Sequence, residues 1–168
     1  MDKPAHQRVL DLGCLILLIS IFAAVVTAEE RAGSVTAGPK TDTPAIIPVT
    51  LGGKTIQAVV ADTNKSRGRG LLGWETISEE QGMLLDFLRE SNYAIHMETM
   101  KFTIDALWID DRGTILVIYD DLMPNSGLSY PSVVPCRYCL EIQAGFCKKY
   151  GVKMGDQVQF GRPVNQSR

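Results

Sequence analysis

The pattern of apolar and polar positions changes twice along this chain. Leu12 to Ala28 is almost wholly apolar, residues 29–45 show no period, and from Ile46 onward short stretches alternate every second residue. Lys3 and Arg8 precede the first run, and the small residues Val26-Thr27-Ala28 end it ahead of Glu29-Glu30. A charged start, an apolar centre and a small-residue exit form the pattern of a secretory signal, here cut after Ala28. The alternative is an uncleaved anchor, since the run reaches the lower limit for a spanning helix. Cys14 opens the apolar run instead of closing it, so it is a poor match to a lipoprotein acylation site, and no twin arginine precedes the run.

Residues 29–45 carry Gly33, Ser34, Gly38, Pro39 and Pro44 among scattered Thr and charges. Such a segment cannot bury enough apolar surface to offset the loss of chain entropy and reads as a flexible linker. The folded domain is then about 46–161, with 162–168 as a tail. Within it, Ile46–Leu51 is a β-type run, Gly52-Gly53 is a two-residue hairpin signal, and Thr55–Ala61 alternates. Asp62 suits the N-cap of a short helix through Arg69 that Gly70 would stop. Met83–Phe87, Tyr93–Met97, Ala106–Asp110, Thr114–Tyr119, Cys136–Gln143 and Gln157–Phe160 read as further strands, with Asp111-Arg112-Gly113 as a second turn. Ala144–Tyr150 reads as a short helix ended by Gly151. Many short strands with Gly-rich turns predict a mainly β fold, a compact sandwich or barrel-like domain with one or two short helices.

Composition narrows the function more than the fold. Of 168 residues, 45% are hydrophobic and 21% charged, as in ordinary globular proteins. The net charge of −2 offers no footprint for nucleic acid. No phosphate-loop ending follows Arg67-Gly68-Arg69-Gly70, and no Gly-x-Ser-x-Gly is present. Asp110-Asp111 and Asp120-Asp121 lack the alternating oxygen ligands of a calcium loop and read as solvated strand ends.

A series of spaced signatures carries a resemblance. It runs through Val59-Val60-Ala61-Asp62, Gly70-Leu71-Leu72, Gly82-Met83-Leu84-Leu85-Asp86-Phe87 and Ile104-Asp105-Ala106-Leu107-Trp108-Ile109-Asp110, then Leu140-Glu141-Ile142 and Gly151-Val152-Lys153-Met154-Gly155-Asp156. In this order they resemble the uncharacterised bacterial and archaeal family called domain of unknown function 192. The resemblance implies a compact β domain with small helices and no established activity. The family's most recognisable stretch, approximately Phe-Trp-Met-Lys-Asn-Thr and then Leu-Asp, is matched here by Ile95-His96-Met97-Glu98-Thr99-Met100 and Ile104-Asp105. Met97 and Asp105 keep that pattern, while the aromatic pair and the Lys-Asn-Thr are replaced.

Candidate chemistry gathers around that stretch. His96 is the only histidine after the leader, because His6 lies within it. In an extended segment, His96 and Glu98 share one face, an arrangement open to an acid–base pair or to a metal ligand with its orienting carboxylate. Met97 and Met100 beside His96 would suit copper(I). Asp105 and Glu141 each lie in an apolar stretch. A buried carboxylate either ties backbone N–H groups together or serves as an acid or base in a pocket, and the first role is the commoner. Cys136 and Cys139 stand three apart in a predicted strand, beyond disulfide reach, whereas either could pair with Cys147. Alternation places Cys136, Tyr138, Leu140 and Ile142 on one face, and Arg137, Cys139, Glu141 and Gln143 on a polar one.

These readings lead to an exported, non-catalytic binding or interaction domain of the cell envelope, with His96, Met97, Glu98 and Asp105 as its candidate binding residues. No cofactor is expected, and the partner is unspecified, with another envelope protein as one candidate. Two alternatives remain: a copper-binding protein using His96, Met97 and Met100, and an enzyme using Asp105, Glu98 and His96.

Overall fold

A computed structural model describes residues 43–163. The expected leader (1–28), all but the end of the expected linker (29–45) and most of the expected tail (162–168) lie outside the described residues. Strands β1 (Ile46–Leu51) and β2 (Lys54–Ala61) form a hairpin across Gly52-Gly53. Both glycines have positive φ, 56° and 74°, the backbone such a tight turn demands. Helix α1 (Asn64–Arg69) then leads through a long connection to β3 (Gln81–Ser91). Strands β4 (Ala94–His96), β5 (Ile104–Ile109), β6 (Ile115–Leu122), β7 (Ser129–Pro131) and β8 (Cys136–Gln143) follow, then helix α2 (Phe146–Tyr150) and β9 (Gln159–Phe160).

The main sheet has the order β6-β5-β8-β3-β2-β1-β9, and β4 pairs with β7 in a small second sheet. Every pairing is antiparallel except β2 with β3. Parallel neighbours need a crossover of a dozen or more residues, and residues 62–80, including α1, supply it. The main sheet curls into a half-barrel. Its far sides meet where Thr114 bridges Gln157 and the Ile115 N–H donates to the Asp156 carbonyl.

Each face of the sheet is buried, and two separate apolar clusters result. The inner one holds Val49, Leu51, Ile56, Leu107, Leu140 and Ile142, closed by Phe146 and Cys147 of α2 and by Val152 and Val158. The outer one holds Met83, Leu85, Ala106, Trp108 and Cys139, covered by Leu71, Ile77, Ile95 and Met97 from the connections. Strand β5 is buried along its whole length because it lies between both layers.

Several expectations need correction. Thr63, not Asp62, caps α1: its hydroxyl accepts from the Ser66 N–H while the Ser66 hydroxyl accepts from the Thr63 N–H. Strand β7 was not anticipated, because Ser129-Tyr130-Pro131 is too short to show a period. Cys136 falls on the outer face with Cys139, since a β-bulge between Asp86 and Ser91 shifts the register of β3 against β8 and breaks the alternation. Glu141 does not lie on a solvated polar face. The connections that cover the outer face bury it to 7% exposure.

Candidate functional site

Among the described residues Asp105, Asp110, Ser132 and Glu141 are buried polar side chains, and Asp105 and Glu141 lie on opposite faces of the main sheet. On the inner face, Asp105 is fully buried. Opposite it in β6 the register slips at Asp120-Asp121, and Asp121 takes a positive φ of 54°. The Asp105 carboxylate accepts from the Asp121 N–H at 3.1 Å, the Gly145 N–H at 3.1 Å and the Cys147 N–H at 3.0 Å. It therefore joins β5, the bulge of β6 and the start of α2. Three N–H donors offset the desolvation of a buried charge. This is the backbone-tying role of the two open to Asp105.

Asp105, Asp120 and Cys147 have potential ligand atoms within 4.8 Å of one another. Burial first, and then the Asp105 and Asp120 charges, push the Cys147 thiol well above its ordinary range. It stays protonated and bonds to Asp105. The three cysteines described are free and buried. Cys136 and Cys139 belong to the outer cluster and Cys147 to the inner one, so the sheet itself separates them. Burial raises Cys136 to about 11 and Cys139 well above its ordinary value.

On the outer face, four side chains form a row across the sheet: Val59 of β2, Met83 of β3, Glu141 of β8 and Ala106 of β5. Glu141 is thus flanked by Met83 and Ala106, neither of which can bond to it. Its Oε2 atom is buried without a hydrogen-bond partner among the described residues, and so is the indole Nε1 of Trp108 on the same face. An unpartnered buried polar group costs about 1–3 kcal/mol, so two on one face call for an explanation. Burial pushes the Glu141 carboxyl up from 4.5 to about 7.

Glu141 Oε2 lies beneath Gly70, where a Cβ would come to 4.0 Å from it. Gly70 has φ 47° and ψ −136°, a backbone suited to glycine. It also lines a cleft of about 920 Å³. The cleft is bounded by residues 43–45, the end of β2, α1, Trp74 and Met83. Val59, Ala61, Met83 and Trp74 give it an apolar wall, and Lys65 and Arg69, one helical turn apart on α1, give it with Asp62 a charged rim of both signs. Neither cation is ion-paired with another described residue. The volume falls in the range of small-molecule sites.

The site residues expected from sequence are not gathered here. His96 and Glu98 are exposed, Met97 is fully buried in the outer cluster and Met100 is half-buried. His96 pairs with Ser129 at the rim of the small sheet. None of His96, Met97, Glu98, Met100 or Asp105 lines the cleft, nor the second cavity between β6 and α2. Of the residues that line the cleft, Val59 to Asp62, Gly70 and Met83 fall within the spaced signatures, but nothing in the sequence joined them into a site. Arg69 belongs to Arg67-Gly68-Arg69-Gly70, which lacks a phosphate-loop ending, and Lys65 carried no signal; Glu141, outside the lining, was marked only by its position in an apolar stretch.

Comparison with known proteins agrees with the fold. The family DUF192, an uncharacterized ACR, matches residues 47–160. A crystal structure of a candidate transcription regulator from Sinorhizobium meliloti 1021 is similar, with a TM-score of 0.66 and 29% identity over 70% of this chain and 95% of that one. A protein of unknown function from Novosphingobium aromaticivorans DSM 12444 has a TM-score of 0.64 and 22% identity over 68% of this chain and 84% of that one. No curated protein matches this chain.

Proposed function

Because this chain belongs to the DUF192 family, which brings a fold without a reaction, we propose from its own residues that it is a non-catalytic domain binding a small ligand at the cell envelope. The observation that carries this reading is the cleft on the outer face, with its apolar wall, its rim of Lys65, Arg69 and Asp62, and the buried unpartnered carboxyl behind Gly70. A few polar groups converging on a largely apolar concavity are the usual features of a ligand site. Export is supported by the apolar run Leu12–Ala28 and the small residues that end it. The net charge of −2 gives no support to nucleic-acid contact, so the regulator description of the Sinorhizobium relative is not carried over.

The test is an amide-shift titration of the labelled domain with a mixed library of small organic fragments, together with mass analysis of the protein recovered from an expressing bacterium. Binding in the cleft concentrates the shift changes on residues 59–74 and Met83, and an N-terminus at Glu29 in the envelope fraction establishes export. Shift changes scattered over the surface, or confined to the His96 region, overturn the binding reading. Retention of the full chain in the cytoplasm overturns the location.

A further inference from the structure

Glu141 lies between the main sheet and the crossover that covers it. Its side chain rises from β8, is 7% exposed, and ends in an Oε2 atom with no hydrogen-bond partner among the described residues. The backbone of Gly70 passes over that atom, so close that a Cβ there would sit 4.0 Å away. Gly70 lines the cleft and Glu141 does not, so Gly70 belongs to the cover that keeps water from the carboxyl. That cover is lightly held. Helix α1 buries none of its residues, and Leu71 is the one buried side chain of residues 62–74. Arg67 ties the segment to β3 by donating to the Asp86 carbonyl and lying over the Phe87 ring. The N–H groups of Arg67, Gly70, Leu72 and Trp74 bond to carbonyls within the segment itself. A helix this short does not persist once it leaves its support.

We propose that the segment from Asp62 to Trp74 is a lid latched by the neutral form of Glu141: it lies on the sheet while the carboxyl holds its proton, and lifts to admit water when the carboxyl is charged. A buried carboxylate without a partner must either reach water or take up a proton, and the groups around Glu141 offer no third course. Met83 and Ala106, its neighbours across the sheet, carry no charge. Cys139, two residues along β8 on the same face, is a thiol that burial keeps protonated. Asp86 of β3 is paired with Arg137. From the crossover, Arg67 is engaged by the Asp86 carbonyl and Asn64, and the Arg69 guanidinium lies against Gly73. Asp62 has a contact of its own, and Lys65 is exposed on the rim. Of the other segment over this face, His96 and Glu98 are exposed and Lys101 is paired with Glu75. Asp105 bonds on the opposite face of the sheet. Burial alone lifts Glu141 to about 7, so the latch works within the physiological range. Resting on the reading of the cleft as a binding site, the lid regulates that site, because Lys65, Arg69, Gly70 and Trp74 make one side of it. The cleft is complete below neutral pH and loosened above it.

The experiment is amide hydrogen exchange of the full chain at pH 6 and pH 8, with each rate divided by that of the unstructured chain at the same pH. The reporters are the N–H groups of Arg67, Gly70, Leu72 and Trp74, and the reference is the buried strand β5. A carboxyl at about 7 beneath the closed lid and in its ordinary range beneath the open one makes the open state about tenfold more populated at pH 8 than at pH 6. The four reporters should lose protection by that factor while staying less protected than β5, which marks the opening as local. Glu141→Gln should show equal protection at both pH values. Where that variant does not fold, Glu141→Met serves, with the same expectation. Leu71→Ala removes the buried anchor and should lower protection at both pH values while keeping the tenfold ratio. Equal protection of the wild-type reporters at both pH values, the same fall in Glu141→Gln, or reporters as protected as β5 would each overturn the lid. No ligand enters this measurement, so its failure leaves the cleft reading standing, and a failed fragment titration leaves the lid standing.

Discussion

Replacing Glu141 with glutamine keeps the shape of the side chain and removes its titration. The folded domain holds this carboxyl at about 7 against an ordinary 4.5. Between those values the unfolded chain has released the proton and the folded domain has kept it. The stabilisation is therefore fully present below 4.5, is lost as pH rises through 7, and stays lost above it. At about 1.4 kcal/mol per pH unit, the loss is about 3 kcal/mol, a large share of the stability of a typical domain. The variant has no such dependence. The buried amide adds an unpaired donor and a roughly constant cost, so the informative quantity is the wild-type-minus-variant difference, followed from pH 4.5 to pH 8. Other groups cancel in that difference. Asp110 is one: burial raises it, but the Thr114 and Arg112 N–H groups outweigh this and hold it low in both proteins. The assay is urea unfolding followed by fluorescence at several pH values. The difference should move by about 3 kcal/mol in favour of the variant as pH rises. Parallel profiles would refute the argument that Glu141 is a buried acid without a partner.

Asp105→Ala should cost about 3–5 kcal/mol, because three N–H groups, that of Cys147 buried, lose a charged acceptor, and Asp105→Asn should cost less. Urea unfolding checks this, and a loss below about 1 kcal/mol would contradict the joining role. The thiols of Cys136, Cys139 and Cys147, all buried and shifted upward, should resist a disulfide reagent at pH 8 and react together once the domain unfolds. Prompt reaction of the native protein would refute their protection. Gly82→Ala places a Cβ 2.9 Å from Ile56 Cδ1 and 3.3 Å from the Glu141 carbonyl oxygen, which should cost about 1–3 kcal/mol. An unchanged thermal midpoint would show that Ile56 and β8 give way to the added methyl group more easily than these contacts suggest.

The elements were largely legible because their signals are local. Gly52-Gly53 specified a turn, and the period of two in Thr55–Ala61 specified a strand that the structure extends by one residue. The second apolar layer was harder to read. Alternation in β8 implied a wet face for Glu141, since nothing near Cys136–Gln143 announces that residues 71–77 and 95–97 will cover it. A bulge in β3 then moved Cys136 to the other face, and a bulge depends on a partner strand distant in sequence. The cleft was illegible for the same reason. Its lining comes from residues 43–83, brought together only by the crossover. His96 stood out for its rarity, which carries no information about position, and it lies exposed on the small sheet.

The crossover between the two parallel strands has an evolutionary consequence. Helix α1 buries none of its residues, and Leu71 and Ile77 are the buried apolar anchors of the segment 62–80. The inner cluster takes nothing from that segment. Between its anchors the connection can change sequence, and even length, without disturbing the scaffold that closes the half-barrel. One ancestral framework can thus diversify in what it recognises by exchanging a single surface cassette. Exchanging residues 62–80 for those of a relative would then remodel one side of the outer cleft and leave the inner cluster intact.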